Sequence, residues 1–295
     1  MRRAAAVAVV LLLTHAGQAQ AWGFEAHKFI MERAIALLPA ELRPLFEASR
    51  ATLIERSIDP DTWRTAGFAP DEDPNHFLDF DWQGFGPYPF AGLPRDHTAA
   101  IAKFGRSRLQ ETGTLPWRME EMYGALRRSF EDYARRGAFG RNDIIFFSAW
   151  LTHYVSDAHV PFHATVNHDG QLTGQNGIHA RFESTMFERY LDRLTIAPKP
   201  IAAIKDPRDF AFTALLQGNQ LVPAILKADL EAIGTRDVYD EAYYDAFFKA
   251  NRAVLERRLN EAIAATAAMI AGAWEAAGKP PLPLNSPSRS QRRVR

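Results

Sequence analysis

His153 and Asp157 lie four residues apart, and so do His179 and Glu183. On a helix that spacing sets two side chains on one face, about 40° apart around the axis. Each stretch therefore offers one imidazole and one carboxylate from adjacent turns. His163 follows Pro161; proline cannot continue a helix, so His163 is expected just past the end of the first stretch. Nitrogen and oxygen donors without thiols suit Zn²⁺ or a similar divalent ion. A single His–acid pair at this spacing is also an ordinary helix-stabilising pair. Two pairs with a third histidine between them argue for a metal. The strongly apolar run 144–151 just before them argues for burial, and buried His and Asp side chains need partners.

Further donors lie upstream. Asp59, Pro60 and Asp61 open a long loop, and His76, Phe77 and Asp79 sit within it. Trp22 would head the chain after removal of a leader, with His27 close behind. A free α-amino group binds a metal when deprotonated, and its carbonyl can close a chelate ring. The other histidines carry weaker signals. His15 leaves with the leader, His97 begins a helix without an acidic partner, and His159 falls on another face from His153. His168 lies in the polar loop between His163 and His179.

The elements that must position these residues read as helical. Apolar residues recur at three and four spacing, as in Ile30, Ala34, Leu37 and Leu38. The pattern predicts helices at 27–38, 41–56, 95–112, 117–136, 142–159, 178–194, 209–233 and 241–277. Pro and Gly fall mainly between them. Two loops stand out, 60–94 and 163–177, and long loops on a rigid scaffold often carry function. An all-α single domain is expected over residues 22–278. Residues 279–295, with four prolines and then four arginines, read as a disordered basic tail.

Arg2 and Arg3, the apolar run 4–13, and Ala19, Gln20 and Ala21 form a positive region, an apolar region and an A-x-A cleavage site. The run is too short to span a membrane. Residues 1–21 are therefore expected to be a signal peptide, with the product periplasmic or secreted and without a transmembrane anchor. Cys is absent, so bound metal rather than disulfides would stabilise the exported fold. Loss of Arg2 and Arg3 leaves 33 basic against 35 acidic residues. That balance offers no steering field for wrapping a long polyanion, though it does not exclude an enzyme that cuts one. No stable protein partner is evident.

Taken in order, the motifs resemble a known family. They are an N-terminal Trp after cleavage with a nearby His, an Asp followed by His-Phe-x-Asp, then His-Tyr-x-x-Asp-x-x-x-Pro-x-His-Ala, then Gly-x-His-x-Arg-Phe-Glu. This pattern, from Trp22 to about Tyr190, is similar to the zinc-dependent phospholipase C and single-strand-specific nuclease superfamily. The resemblance implies an all-α fold around three zinc ions. One would take Asp61, His76, His153 and Asp157. A second would take His163, His179 and Glu183, leaving positions for water or substrate. The third would take the amino nitrogen and carbonyl oxygen of Trp22 with His27, and share Asp157 as a bridge. Asp61 rather than Asp59 has the spacing to His76 that the nuclease branch suggests. Two ions roughly 3.5–4 Å apart acidify a shared water for in-line attack on phosphorus. Asp157 would bridge that pair, and Asp61 would orient the water or shuttle its proton.

The chain mixes the two branches. The close spacing of Trp22 to His27 looks like the nucleases, and Phe77 with Asp79 would form their stacking and hydrogen-bonding pocket. Glu183, the short loop to His179 and the absence of Cys look like the phospholipases. The reading is a phosphodiester hydrolase, leaning to phospholipase C, with a nuclease as the alternative. A zinc-binding protein without turnover is the remaining class, and an open position on the second zinc would separate it from an enzyme.

Overall fold

The computed structural model describes residues 23–69, 71–137 and 139–283. Helices account for the regular structure, with no strand among the described residues. In chain order they are α1 (Phe24–Leu37), α2 (Arg43–Ala48), α3 (Arg50–Arg56), α4 (Asp59–Thr65), α5 (His97–Phe104), α6 (Arg106–Thr112), α7 (Leu115–Ala134), α8 (Gly140–Asp157), α9 (Ile178–Ala180), α10 (Met186–Tyr190), α11 (Pro207–Asn219), α12 (Val222–Ile233) and α13 (Glu241–Ala276). The all-α expectation holds.

Prolines open several of these helices. Pro44, Pro60, Pro116, Pro207 and Pro223 each sit in a first turn, where the missing N–H costs nothing. Asp96, Asp206 and Asp240 cap α5, α11 and α13 by accepting from the N–H of Ala99, Asp209 and Tyr243.

Several expected helices are divided. The stretch 95–112 breaks at Gly105, whose φ of 84° belongs to the left-handed region that glycine tolerates. The stretch 209–233 breaks before Pro223, and 41–56 breaks between Ala48 and Arg50. Asp59, Pro60 and Asp61 were expected in a loop. They form the first turn of α4 instead, because Pro60 there is an initiator and not a breaker.

α8 runs through the middle of the molecule. Every residue from Ser148 to Thr165 is buried, so no face of its second half meets water. α7 packs along it, and α1, α3 and α13 also touch it. α13, 36 residues long, spans about 54 Å and packs on α1, α7, α8 and α12. Past α13 the chain still follows the body. Trp274 Nε1 donates to the Pro280 carbonyl at 2.9 Å, Tyr133 Oη donates to that of Pro283 at 3.1 Å, and Leu282 is buried. Ordered chain therefore extends beyond residue 278, while 284–295, the rest of the expected tail, and the expected signal segment lie outside the described residues.

Candidate metal centre

Five separate pieces of chain converge on the end of α8. That helix presents His153 and Asp157 on one face and stops at Asp157. A short turn, Pro161–Ala164, then carries His163. α1 brings His27, α4 brings Asp61, and the turn Asp73–His76 brings His76. His179 sits in α9, and Glu183 lies in a single π turn, Arg181–Thr185, that joins α9 to α10. Such insertions re-aim side chains and are frequent at functional sites. All eight of these residues are buried.

Their donor atoms are spaced as ligands are. Donors 2.0–2.1 Å from one tetrahedral zinc lie about 3.3 Å from each other. His76 Nδ1 is 3.1 Å from both His153 Nε2 and Asp157 Oδ2. Asp157 Oδ2 is 3.4 Å from His153 Nε2, and Asp61 Oδ1 is 3.7 Å from His76 Nδ1. His179 Nε2 lies 3.0 Å and His163 Nε2 4.0 Å from Glu183 Oε2. His27 Nε2 reaches the other oxygen of Asp157 at 3.4 Å and stacks on His153 with centroids 4.1 Å apart. Three groups, His27 with Asp61 and His153, His76 with His153 and Asp157, and His163 with His179 and Glu183, each hold their donor atoms within 4.8 Å of one another.

Two ring orientations are set from behind. His153 Nδ1 donates to the Ser57 carbonyl at 2.9 Å, and His163 Nδ1 to the His76 carbonyl at 2.5 Å. Each ring then turns the lone pair of Nε2 inward, as outer partners do for metal-ligating histidines. Burial holds His76, His153 and His163 well below the usual histidine range, so their lone pairs are available at neutral pH. Burial pushes the Asp61 carboxyl up to about 7 and the Asp157 carboxyl well above its usual range, against the pull of Arg64. Asp61 Oδ2 and His76 Nε2 have no hydrogen-bond partner. A set of buried nitrogen and oxygen donors at ligand spacing, without thiols, fits zinc.

Asp59 does not join them. It turns to Arg56, 3.1 Å away, and the pair leaves Asp61 as the acid at the centre. Trp22 lies outside the described residues. The described chain begins at Gly23, whose N–H donates to Ser184 Oγ at 3.1 Å, so it enters beside the π turn that holds Glu183.

A cavity of about 350 Å³ opens on the centre, bordered by His76, His163 and His179. Phe77, Asp79 and His168 line it, as does Arg64. Gly113 lets Phe77 sit where it does: a Cβ there would meet the Phe77 carbonyl oxygen at 2.1 Å. Asp79 Oδ1 is buried without a hydrogen bond. Burial, reinforced by Asp81, raises the Asp79 carboxyl to about 8.

Three supports escape a motif-based reading. Arg64 donates to Asp61 Oδ1 at 3.1 Å and to Asp73 Oδ1 at 2.5 Å. The i,i+3 spacing from Asp61 was the available signal. Glu72 accepts from Tyr154 Oη and from Arg118, at 3.1 Å, and braces the turn before His76. Arg181 donates to the carbonyls of Gln175 and Asn176 and to Asp229, tying the loop before His179 to α12.

No curated protein matches the chain. The family model for zinc dependent phospholipase C matches residues 26–271, a span that takes in His27, Glu183 and most of α13. With that match over most of its length, and with the donor set that zinc requires, the chain belongs to the zinc-dependent phospholipase C family, a family of zinc-dependent phosphodiester hydrolases.

Proposed function

We propose that the mature chain, beginning at Trp22, is an exported phospholipase C-type enzyme that holds three zinc ions and cleaves phosphodiester bonds of phospholipids. The observation that carries this is the spacing of the donors around Asp157 beside a cavity lined by Arg64. Asp61, His76, His153 and Asp157 would hold one ion, and His163, His179 and Glu183 a second. His27 would hold the third with the Trp22 backbone, Asp157 serving both the first and third through its two oxygens. Bound zinc supplies Lewis acidity toward phosphoryl oxygens and a water acidic enough to attack phosphorus.

The chain's own residues do the rest. Asp61 orients the attacking water through Oδ2. The guanidinium of Arg64, partly buried against Asp61, faces the cavity and binds a phosphate oxygen. Asp79, neutral below pH about 8, donates a hydrogen bond to the bound substrate, and Phe77 forms the apolar wall beside it. Residues 22–278 form the catalytic body.

Single-stranded nucleic acid is the second reading. The observation favouring it is that Phe77 and Asp79 share the cavity with the donors, as a stacking and hydrogen-bonding pocket for a base would require. Parallel assays of zinc-loaded protein on phosphatidylcholine, single-stranded DNA and RNA decide between them. Turnover of phosphatidylcholine alone supports the phospholipase. Turnover of nucleic acid alone assigns the nuclease, and turnover of none returns the chain to a zinc-binding protein.

A further inference from the structure

Arg181 stands between two of the donors, just after His179 and just before Glu183, and opens the π turn. Its side chain is buried and reaches α12 and α13. Nε donates to Tyr243 Oη at 3.0 Å, and Nη1 to the Asn176 carbonyl at 2.8 Å. Nη2 donates to the Gln175 carbonyl at 3.2 Å and to Asp229 Oδ1 at 3.1 Å. The Tyr239 ring covers the guanidinium, its centroid 3.9 Å away.

Asp229 on α12 is 1% exposed, and the set closes on its carboxylate. Oδ1 accepts from Arg181 and from the Tyr243 hydroxyl, and Oδ2 accepts from Gln175 Nε2 at 2.8 Å. Gln175 and Asn176 end the loop that leads into His179. One carboxylate therefore anchors both the chain entering α9 and the first residue of the turn that carries Glu183. Asp169 also holds this entry, accepting from the N–H of Gly177 and His179 at 2.9 and 3.4 Å. It grips the start of α9 alone, whereas Asp229 spans α9 and the π turn. Such turns are rare in helices, so local propensity does not hold this one in place. His179 Nε2 meets Glu183 Oε2 across it at 3.0 Å.

We propose that Asp229, acting through Arg181, is a positioning residue for the second ion: it sets the distance between His179 and Glu183. The inference rests on the assignment of His163, His179 and Glu183 to one ion.

The test uses the mature, zinc-loaded protein. Asp229→Asn keeps the size of the side chain but leaves one oxygen for three donors. Titration with a competing chelator should show one ion per chain held at least about tenfold more weakly, the scale for outer partners of metal ligands. The remaining ions should keep parental affinity. The kcat for bis(p-nitrophenyl) phosphate should fall with the occupancy of that ion and recover as free zinc is raised. Tyr243→Phe, which removes the hydroxyl between Arg181 and Asp229 but keeps the ring, should loosen the same ion by less. It carries the test if Asp229→Asn does not fold. Leu126→Ala, a core change on α7 outside the network, should lower the urea midpoint without loosening any one ion selectively. Parental affinity for every ion in Asp229→Asn, or in Tyr243→Phe where only that protein folds, overturns the proposal. Equal weakening of all ions overturns it too, being the pattern of a fold merely loosened. A parent that binds no zinc overturns the metal centre and this inference with it.

Discussion

His27 Nε2 lies 3.4 Å from Asp157 Oδ1. The other oxygen of Asp157 faces His76 and His153, at 3.1 and 3.4 Å. One carboxylate at the end of α8 thus turns each oxygen to a different set of histidines. In the proposed centre a side chain placed so would serve two ions, whereas Asp61 would serve one.

Asp157→Asn should therefore cost more activity than Asp61→Asn. An amide offers a single neutral acceptor and cannot bridge. The loss should be roughly a hundredfold or more in kcat/KM, since even outer-shell partners of metal ligands are worth 10–100-fold. Zinc content measured beside the kinetics should fall further in Asp157→Asn. The reverse order would remove Asp157 from the bridging position.

Asp79 makes a separate prediction about pH. Its carboxyl is raised from 3.8 to about 8, first by burial and then by Asp81. Between about pH 4 and 8 the folded chain keeps a proton there that the unfolded chain has released. Stability from this group is thus greatest at low pH and declines as pH rises through that window. Substrate binding should decline on the alkaline side, as the lost proton removes a donor and adds a charge facing phosphate. Asp79→Asn resembles the neutral acid. The kcat/KM profile of the variant should lose the alkaline limb near pH 8 and match the parent below pH 7. A limb that survives in the variant assigns the titration to another group.

Part of this centre was legible because it is periodic. His153 with Asp157 and His179 with Glu183 repeat at four residues, and a buried α8 does set the first pair on one face. The second pair meets across a π turn, which a four-residue spacing alone does not disclose. Pro60 misled because proline both ends and begins helices, and only the partners of Asp61 show which it does. Gly105 divides the expected helix 95–112 at a left-handed residue. Glu72, Arg118 and Asp229 act across 46 to 48 residues or more. Their roles depend on which helices pack together, and no local pattern carries that.

Zinc stoichiometry tests the chain start. The Gly23 N–H is held by Ser184, beside the turn carrying Glu183, and in the proposed centre the amino nitrogen of Trp22 would be the third ion's ligand. Mature protein beginning at Trp22 should hold close to three zinc ions by elemental analysis. Protein keeping even one residue ahead of Trp22 has no free amino group at that point and should hold two, with most activity lost. Full activity and three ions in the extended protein would rule the amino nitrogen out as a ligand.

Arg258 gives the last prediction, on stability. It is 1% exposed, yet its guanidinium is nearly saturated. Nε donates to the His159 carbonyl at 2.8 Å, and Nη2 to those of Ala158 and Ala214 at 3.2 and 3.0 Å. Nη1 pairs with Glu261 at 2.7 Å. A cation in this position satisfies carbonyls left open at the end of α8 and favours that end of its dipole. Asp157 is the final residue of the helix so held. Arg258→Met would fill the space but leave the carbonyls of Ala158 and His159 without this donor. The expected loss is about 3 kcal/mol, the scale for removing one partner of a buried charged network, read from the urea midpoint at unchanged slope. Because the same bonds fix where α8 stops, the variant should also bind zinc more weakly at temperatures where it remains folded. A destabilised variant with parental zinc affinity would show that the Asp157 carboxylate is placed by its histidine neighbours alone.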